Sequence, residues 1–316
     1  MKKLFSTLAI FLFFTFALSS QVNVGLLNGP SCLPCAHLIE NCDSLNSTQV
    51  SYEVFASPQE LLPKMIKNEI DIGFMPVNVA AKSYEATKGQ IICLSITGQG
   101  NLCLISSDKK VTKLKDLKGK KVYVAGQGST PEYITKYLLE QEKIEIDTKN
   151  GVTLDFSIAT PHLVPQFLAG KIENIIIPEP FVTLVKLNKK NCSIIDLQKK
   201  YFIKDGFENY PLTVMVATKQ FVLENSEVLD LFLQKYEQAL NNTLENPKLT
   251  STLCEKHNLG LKKEVVEKSI PNANYVFIPS VKGKTSIENL LKIIFKTSPT
   301  FLSSKLPDKD FYYKNE

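Results

Sequence analysis

One segment of this chain occurs twice, and this repetition limits the possible folds more than any other feature. Residues 61–80 align without a gap with residues 163–182, and four aligned pairs are identical: Leu61 and Leu163, Pro63 and Pro165, Ile70 and Ile172, and Pro76 and Pro178. Each copy has the pattern of a short amphipathic helix, an acidic turn and a continuous apolar run that ends at proline. Such a run is typical of a strand buried on both faces. The repetition therefore predicts two similar α/β lobes; the alternative is a chance similarity of apolar segments.

A second, weaker repetition relates residues 24–40 to residues 122–139. In each copy a strand-like run is followed by an amide residue, a glycine and small or hydroxyl residues, and then by a helical pattern. Backbone N–H groups at such helix starts suit an anion or a polar ligand group. The alternative is an ordinary turn, capped by Ser129 or Thr130 with Pro131 in the first helical turn. Two such loops in two similar lobes predict a cleft between the lobes.

The composition fits a soluble protein with two domains. The chain has 316 residues, of which 44% are hydrophobic and 22% are charged, and its net charge is +5. That length permits two cores of ordinary size. The net charge is too small for a nucleic-acid-binding protein.

The amino terminus has the pattern of a secretory signal peptide. Two lysines precede an apolar run over residues 4–18, and small residues at its end place the cleavage near Ser19 or Ser20. The run is shorter than the roughly 20 residues of a membrane span, and no cysteine stands at the cleavage site to carry a lipid. We therefore expect residues 1–20 to be removed and the mature protein to be periplasmic.

Residues 116–133, DLKGKKVYVAGQGSTPEY, resemble the most recurrent segment of one group of bacterial ABC-transporter substrate-binding proteins. This group binds nitrate, sulfonates, taurine and thiamine-pyrimidine precursors. Residues 69–74, EIDIGF, resemble a short aspartate-containing motif of the group, with Asn68 in the place of a glycine. Further similar segments are residues 170–173, 178–181, 275–278 and 283–313. The resemblance covers nearly all of the mature chain and does not identify a ligand.

The resemblance implies the two-lobed type II periplasmic-binding-protein fold, an α/β fold in which each lobe is a mostly parallel sheet flanked by helices, with a helical carboxy-terminal part. We expect residues 21–106 and 208–316 to form lobe one and residues 107–207 to form lobe two. The implied function is that of the solute-binding component of an ABC import system. Such a protein captures a small polar or anionic molecule between its lobes and delivers it to a permease with its ATPase subunit. No catalytic activity, cofactor, metal or nucleic-acid partner is expected, and a monomer is expected.

The resemblance also predicts which residues face the ligand. Glu179 is the acid of most interest because it follows a predicted strand end, where α/β sheets present ligands; it could accept a hydrogen bond from an ammonium or ring N–H group. Asn78 is expected on the opposite wall of the cleft. The ligand class stays open among anions, pyrimidines, amino-acid-like and aromatic compounds. The predicted ligand-facing residues are Gly29, Pro30, Ser31, Cys32, Pro76, Asn78, Thr97, Gly98, Gln127, Gly128, Ser129, Thr130, Thr160, Glu179 and Pro180.

The chain departs from the resembled group in the first loop, which contains Cys32-Leu-Pro-Cys35. We favour a structural disulfide between these cysteines, or of either with Cys42; two buried free thiols are the first alternative. Redox activity or metal ligation together with His37 is the second. It corresponds to a rival function, a secreted thiol- or metal-dependent protein on the same scaffold. The rival is disfavoured by the export signal and by the absence of a cysteine cluster, and nothing in the sequence supplies a matched second pair of metal ligands.

Seven cysteines in a secreted chain predict some disulfides and at least one unpaired thiol. Cys93 and Cys103 would pair if residues 98 and 99 formed a hairpin turn. They would not pair if their strands diverged between the lobes. The candidate disulfide cysteines are Cys32, Cys35, Cys42, Cys93 and Cys103.

Overall fold

The computed structural model describes residues 21–202, 209–299 and 301–314. The predicted signal peptide, residues 1–20, lies outside the described residues, as does the predicted boundary between the lobes at residues 207 and 208. The strands are β1 (Gln21–Leu27), β2 (Ser44–Leu45), β3 (Thr48–Phe55), β4 (Ile72–Pro76), β5 (Ile91–Gln99), β6 (Cys103–Ser106), β7 (Lys121–Val124), β8 (Thr153–Asp155), β9 (Asn174–Ile177), β10 (Ser193–Asp196), β11 (Pro211–Thr218) and β12 (Tyr275–Pro279).

The helices lie between and after these strands. They are α1 (Ala36–Asn41), α2 (Pro58–Ile66), α3 (Val77–Ala86), α4 (Thr130–Gln141), α5 (Thr160–Leu168), α6 (Phe181–Asn188), α7 (Lys219–Glu224), α8 (Ser226–Glu245), α9 (Pro247–Lys256), α10 (Lys263–Ser269) and α11 (Ser280–Thr297). α2, α4, α5 and α9 have proline at the first or second position, where no backbone N–H is needed. Within the described residues, no helix combines the length and the apolar character that crossing a membrane requires.

The strands form two sheets with a shared design. The first sheet has the order β12-β5-β11-β4-β1-β3-β2, and the second has the order β10-β6-β9-β7-β8. In each sheet three neighbouring strands are parallel, β3-β1-β4 in the first and β8-β7-β9 in the second. An antiparallel strand lies beside them, β11 next to β4 and β6 next to β9. The predicted two-lobed α/β fold is confirmed, with antiparallel strands on one side of the parallel unit in the second sheet and on both sides in the first, where β2 pairs antiparallel with β3.

The repeated segments occupy equivalent places in the two sheets. The first copy forms α2, β4 and the start of α3, and the second forms α5, β9 and the start of α6. Asn68 and Gly170, which align with each other, follow α2 and α5 with left-handed φ angles of 56° and 72°. Such a residue commonly ends a helix and is usually glycine or asparagine. The same turn therefore ends the helix and directs the chain into the central strand in both lobes.

The chain crosses between the sheets at two adjacent points. The sequence assigned residues 103–106 to lobe one, but they form β6, which pairs with β9 and β10 of the second sheet. The first crossing is therefore at residues 100–102, and Gly100 N–H donates a hydrogen bond to Tyr210 O of the return crossing at 2.8 Å. A Cβ at Gly100 would lie 2.4 Å from the Tyr210 ring, so glycine is needed for this close approach.

Buried apolar residues form a core within each lobe and a further core that both lobes share. One cluster lies within the first lobe and one within the second. A third contains residues of both, including Ile134 and Leu138 of α4 and Leu290 and Leu291 of α11. α4 packs against α11, and α6 packs against α10. The lobes therefore touch on two flanks, and the space between these flanks is where a ligand cleft is expected.

Candidate ligand-binding site

The starts of α3 and α4, one from each lobe, meet directly. Asn78, the second residue of α3, is 1% exposed. Its Nδ2 donates a hydrogen bond to Gly128 O at 2.8 Å, and its Oδ1 accepts one from Thr130 Oγ1 at 3.1 Å. One side chain of the first lobe thus holds the loop and first residue of α4 in the second. We call Asn78, Gly128 and Thr130 the interlobe latch.

The carboxylate of Glu132 lies at the start of α4. Glu132 accepts a hydrogen bond from Gly128 N–H at 2.7 Å and forms an ion pair with Lys136. Ser129 donates its N–H and its hydroxyl to Gly126 O, at 3.0 and 2.6 Å. The positive end of a helix favours an anion, and here the Glu132 carboxylate takes that place. This role of Glu132 was not predicted from the sequence, although Ser-x-x-Glu is the spacing of a capped helix start.

In the corresponding loop of the first lobe, Gly29, Ser31 and Cys32 are buried. Cys32 Sγ donates to Gly29 O at 3.0 Å, and Ser31 Oγ donates to Leu27 O at 3.1 Å. Pro30 lies in the same 3-10 turn, and the helix that follows, α1, has six residues. Cys32 belongs to the buried cluster of the first lobe. This loop therefore packs into its own lobe, whereas its counterpart in the second lobe reaches across to the other.

The other predicted ligand-facing residues lie at strand and helix ends. Pro76 ends β4, and Thr160 is the partly exposed first residue of α5. Thr97 and Gly98 are buried on β5, where the Thr97 and Thr213 hydroxyls lie 3.2 Å apart. Gln127 is exposed in the loop before α4.

Glu179 lies on the flank where α6 meets α10. It stands between β9 and α6, is 2% exposed, and precedes Pro180 through a cis peptide bond. Its Oε2 accepts a hydrogen bond from Thr183 N–H at 2.9 Å. Burial raises the pKa of Glu179, and the hydrogen bonds from Thr183 and the charge of Lys186 offset only part of this effect. The carboxylate is therefore a buried acceptor whose ionisation needs a positive or hydrogen-donating neighbour.

Glu179 lines a cavity of about 390 Å³ between the lobes. The second lobe also contributes Cys103, Lys186, Asp196 and Lys199, and the first lobe contributes Pro271, Asn272 and Asn274. Asn101, in the crossing segment, lines it as well and is 8% exposed. Its Nδ2 donates to Ala273 O at 2.8 Å, while no donor within the described part of the chain reaches its Oδ1. The sequence analysis missed Asn101 because nothing in its local sequence marks it.

This cavity, rather than others on the surface, suits a site that senses lobe closure. A cavity of about 450 Å³ lies between α3 and residues 302–308, all of which belong to the first lobe. A ligand there would touch one lobe only. A ligand favours the closed form only by contacting both lobes, and the cavity beside Glu179 is lined by both.

The predicted disulfides are wrong, because all seven cysteines are free thiols. Cys93 lies on β5 of the first sheet and Cys103 on β6 of the second, so their strands diverge and form no hairpin. Cys32, Cys35 and Cys42 are buried in the first lobe. Burial raises the pKa of the Cys32 thiol to about 11 and raises that of Cys35 well above its usual range. These thiols are neutral packing groups, as in the alternative of buried small hydrophobic residues.

This geometry does not support the rival function, which depends on reactive thiols or a bound metal. Among the described residues, no group of three or more His, Cys, Asp or Glu side chains is placed to hold a metal ion. His37 Nε2 lies 2.9 Å from Thr250 Oγ1, and burial lowers the pKa of His37. A neutral histidine paired with a hydroxyl and thiols with raised pKa values offer neither a thiolate nucleophile nor a ligand cluster.

A comparison with protein-family models decides the family. The model described as the NMT1-like family matches residues 21–255. The chain belongs to the NMT1-like family. The match covers strands β1 to β11 and includes the interlobe latch, Glu179 and Asn101, whereas β12 lies beyond it.

Solved structures share the fold of this NMT1-like chain at low sequence identity. An ABC transporter protein from Parabacteroides distasonis aligns with a TM-score of 0.77 and 23% identity over 94% of this chain and 100% of that chain. The periplasmic aliphatic sulphonate binding protein of Escherichia coli gives 0.73 and 12% over 94% and 93%. The periplasmic nitrate-binding protein of Synechocystis gives 0.68 and 13% over 89% and 82%. A search of curated protein sequences finds no match.

Proposed function

We propose that this NMT1-like protein is the solute-binding component of an ABC import system and has no catalytic activity. The observation that carries the proposal is the interlobe latch, in which Asn78 of the first lobe bonds Gly128 and Thr130 of the second. A binding protein of this design needs contacts that exist only when its lobes approach each other. These hydrogen bonds lie on one flank of a gap whose other flank contains an open cavity.

The solved structures that share this fold support the same role. The proteins from Escherichia coli and Synechocystis are named as periplasmic sulphonate- and nitrate-binding proteins. We infer a periplasmic location for this chain, with residues 1–20 as its export signal. The cavity beside Glu179 has a volume within the range of small-molecule sites. Delivery of the solute to a membrane permease, which works with an ATPase subunit, would complete the import cycle.

The proposal is tested on the protein purified without unfolding from its own periplasm. Native mass spectrometry should show one small molecule bound per chain. Unfolding, dialysis and refolding should remove it, and the radius of gyration measured by X-ray scattering should then increase and decrease again when the molecule is restored. A chain that carries no small molecule, and whose scattering does not respond to a small-molecule extract of that periplasm, would contradict the proposal.

A further inference from the structure

The chain has no arginine, so all its permanent side-chain cations are lysines. Arginine is the side chain whose planar donors match a sulfonate, nitrate or carboxylate group in a bidentate manner. A cationic contact to an anionic solute would therefore have to come from lysine. At α4, the helix start predicted to bind an anion, Gly128 N–H already bonds the Glu132 carboxylate. A second negative group beside Glu132 would be repelled.

The cavity beside Glu179 offers acceptors rather than donors at its buried side. Glu179 is 98% buried, and Thr183 N–H bonds one of its carboxylate oxygens. Asn101 is also more than nine-tenths buried, and its Oδ1 receives no hydrogen bond from any described residue. Because Asn101 Nδ2 faces the Ala273 carbonyl, the two amide atoms cannot exchange places without setting two oxygens against each other. Asn101 Oδ1 is itself covered, so it contributes a partial negative charge near the cavity, which no described donor offsets, rather than a direct ligand contact.

The lysines of this cavity lie at its outer side. Lys186 and Lys199 are exposed, and Lys199 Nζ is 3.8 Å from Asp196 Oδ2. Exposed ammonium groups in water attract a ligand only weakly. The buried end of the cavity is therefore negative or accepting, and the positive charges remain near the solvent.

We propose that the cavity beside Glu179 and Asn101 binds a cationic nitrogen group of the imported solute, an ammonium or amidinium that donates a hydrogen bond to the Glu179 carboxylate. This assignment rests on the proposed solute-binding function and narrows it to nitrogenous cations. It also separates this chain from neighbours that are named for sulphonate and nitrate. A cation at this position contacts Glu179 of the second lobe, and the solute that carries it lies against Asn272 and Asn274 of the first, so its binding favours the closed form.

The assignment is tested by titration calorimetry with two probes of the same ring and opposite charge, benzamidinium and benzenesulfonate. Benzamidinium should bind to the full mature protein, and benzenesulfonate should not bind at the same concentrations. Glu179→Gln keeps the shape and removes the charge, and it should weaken benzamidinium binding by at least about tenfold. Glu173→Gln, at an exposed acid of the same lobe, is the matched control and should leave the affinity unchanged.

Lys186→Gln provides a second variant that keeps the core intact because Lys186 is exposed. Removing this competing cation should raise the affinity for benzamidinium about two- to threefold. Benzenesulfonate binding that survives Glu179→Gln and still closes the lobes would preserve the solute-binding function and overturn the cationic assignment. The assignment also fails if benzamidinium does not bind, or binds equally to wild type and Glu179→Gln.

Discussion

The two flanks of the interlobe gap differ in how their polar groups are satisfied. On the latch flank, Asn78 uses both ends of its amide across the gap, and Glu132 bonds the Gly128 N–H that an anion would otherwise meet. On the cavity flank, Glu179 and Asn101 are buried beside about 390 Å³ of open space, and Asn101 Oδ1 has no donor among the described residues. The polar groups of the latch flank have hydrogen-bond partners without a ligand, whereas the cavity flank has a buried acceptor that lacks one among the described residues. Closure and recognition are thus assigned to different groups of residues.

The largest expected effect comes from breaking the latch flank with Asn78→Ala. The variant loses both interlobe hydrogen bonds and leaves the buried Thr130 hydroxyl without its acceptor. At about 0.5–1.5 kcal/mol for each bond, the closed form should lose about 2 kcal/mol relative to the open form. That is roughly a thirtyfold shift in the population ratio. X-ray scattering of the ligand-free protein should show a larger radius of gyration.

Asn188→Ala is the matched control for this prediction. Asn188 is exposed, and its Nδ2 donates only within its own helix, to Leu184 O at 2.8 Å. Its removal should leave the radius of gyration unchanged. If Asn78→Ala and Asn188→Ala scatter alike, the latch does not hold the lobes together, and the two flanks do not differ as we describe.

A smaller effect is expected from opening the start of α4 with Glu132→Ala. The change removes the acceptor of Gly128 N–H, the negative charge at the helix start and the partner of Lys136. Losing this hydrogen bond and the favourable charge near the helix start should lower the free energy of unfolding by about 1–2 kcal/mol, measured by urea denaturation. Glu132→Gln keeps an acceptor and should lose about half as much.

Added sulfate sharpens the same prediction. With Glu132 removed, the helix start resembles the anion site that the sequence predicted. Sulfate should then stabilise Glu132→Ala more than it stabilises the wild type. Equal stabilisation of both proteins would show that the Glu132 carboxylate does not occupy an anion position. The latch flank would then not differ from the cavity flank in having its helix start filled by a charge of the chain.

The architecture could be predicted because its signals are local. Each repeated segment contains the residue that ends its helix and the apolar run of its buried strand. The units α2-β4 and α5-β9 are therefore predictable from apolar periodicity and from Asn68 and Gly170. The resemblance to substrate-binding proteins was based mainly on residues 116–133, with further matches inside these repeated segments. β6 was assigned to the wrong sheet because a short apolar strand does not encode its partner.

The site was less predictable because its decisive contacts link distant residues. Asn78 meets Gly128 across fifty positions, and Asn101 acquires its role only when the crossing segment is placed beside Ala273. The cysteines were misassigned for a related reason. Secretion favours disulfides in general, but pairing requires neighbouring sulfurs, and Cys93 and Cys103 are separated by the divergence of β5 and β6.

The smallest expected effect concerns the cavity flank without ligand, in the pH dependence of stability. Burial raises the pKa of Glu179 in the folded protein above the ordinary value of 4.5, so the folded state holds this proton more tightly than the unfolded state. As pH rises from below 4.5 through the folded-state pKa, the free energy of unfolding of the wild type should fall because Glu179 ionises in a buried place. Glu179→Gln has no group that ionises there, so its free energy of unfolding should not show this fall. The Thr183 hydrogen bonds and the charge of Lys186 lower the pKa of Glu179 in part and so limit the change. In urea denaturation over a pH series, the stability of Glu179→Gln relative to the wild type should rise with pH and then level off, because ionised Glu179 is penalised only in the folded state. A difference that is flat with pH, or that falls, would mean that this carboxylate already has the partners that we assign to the ligand.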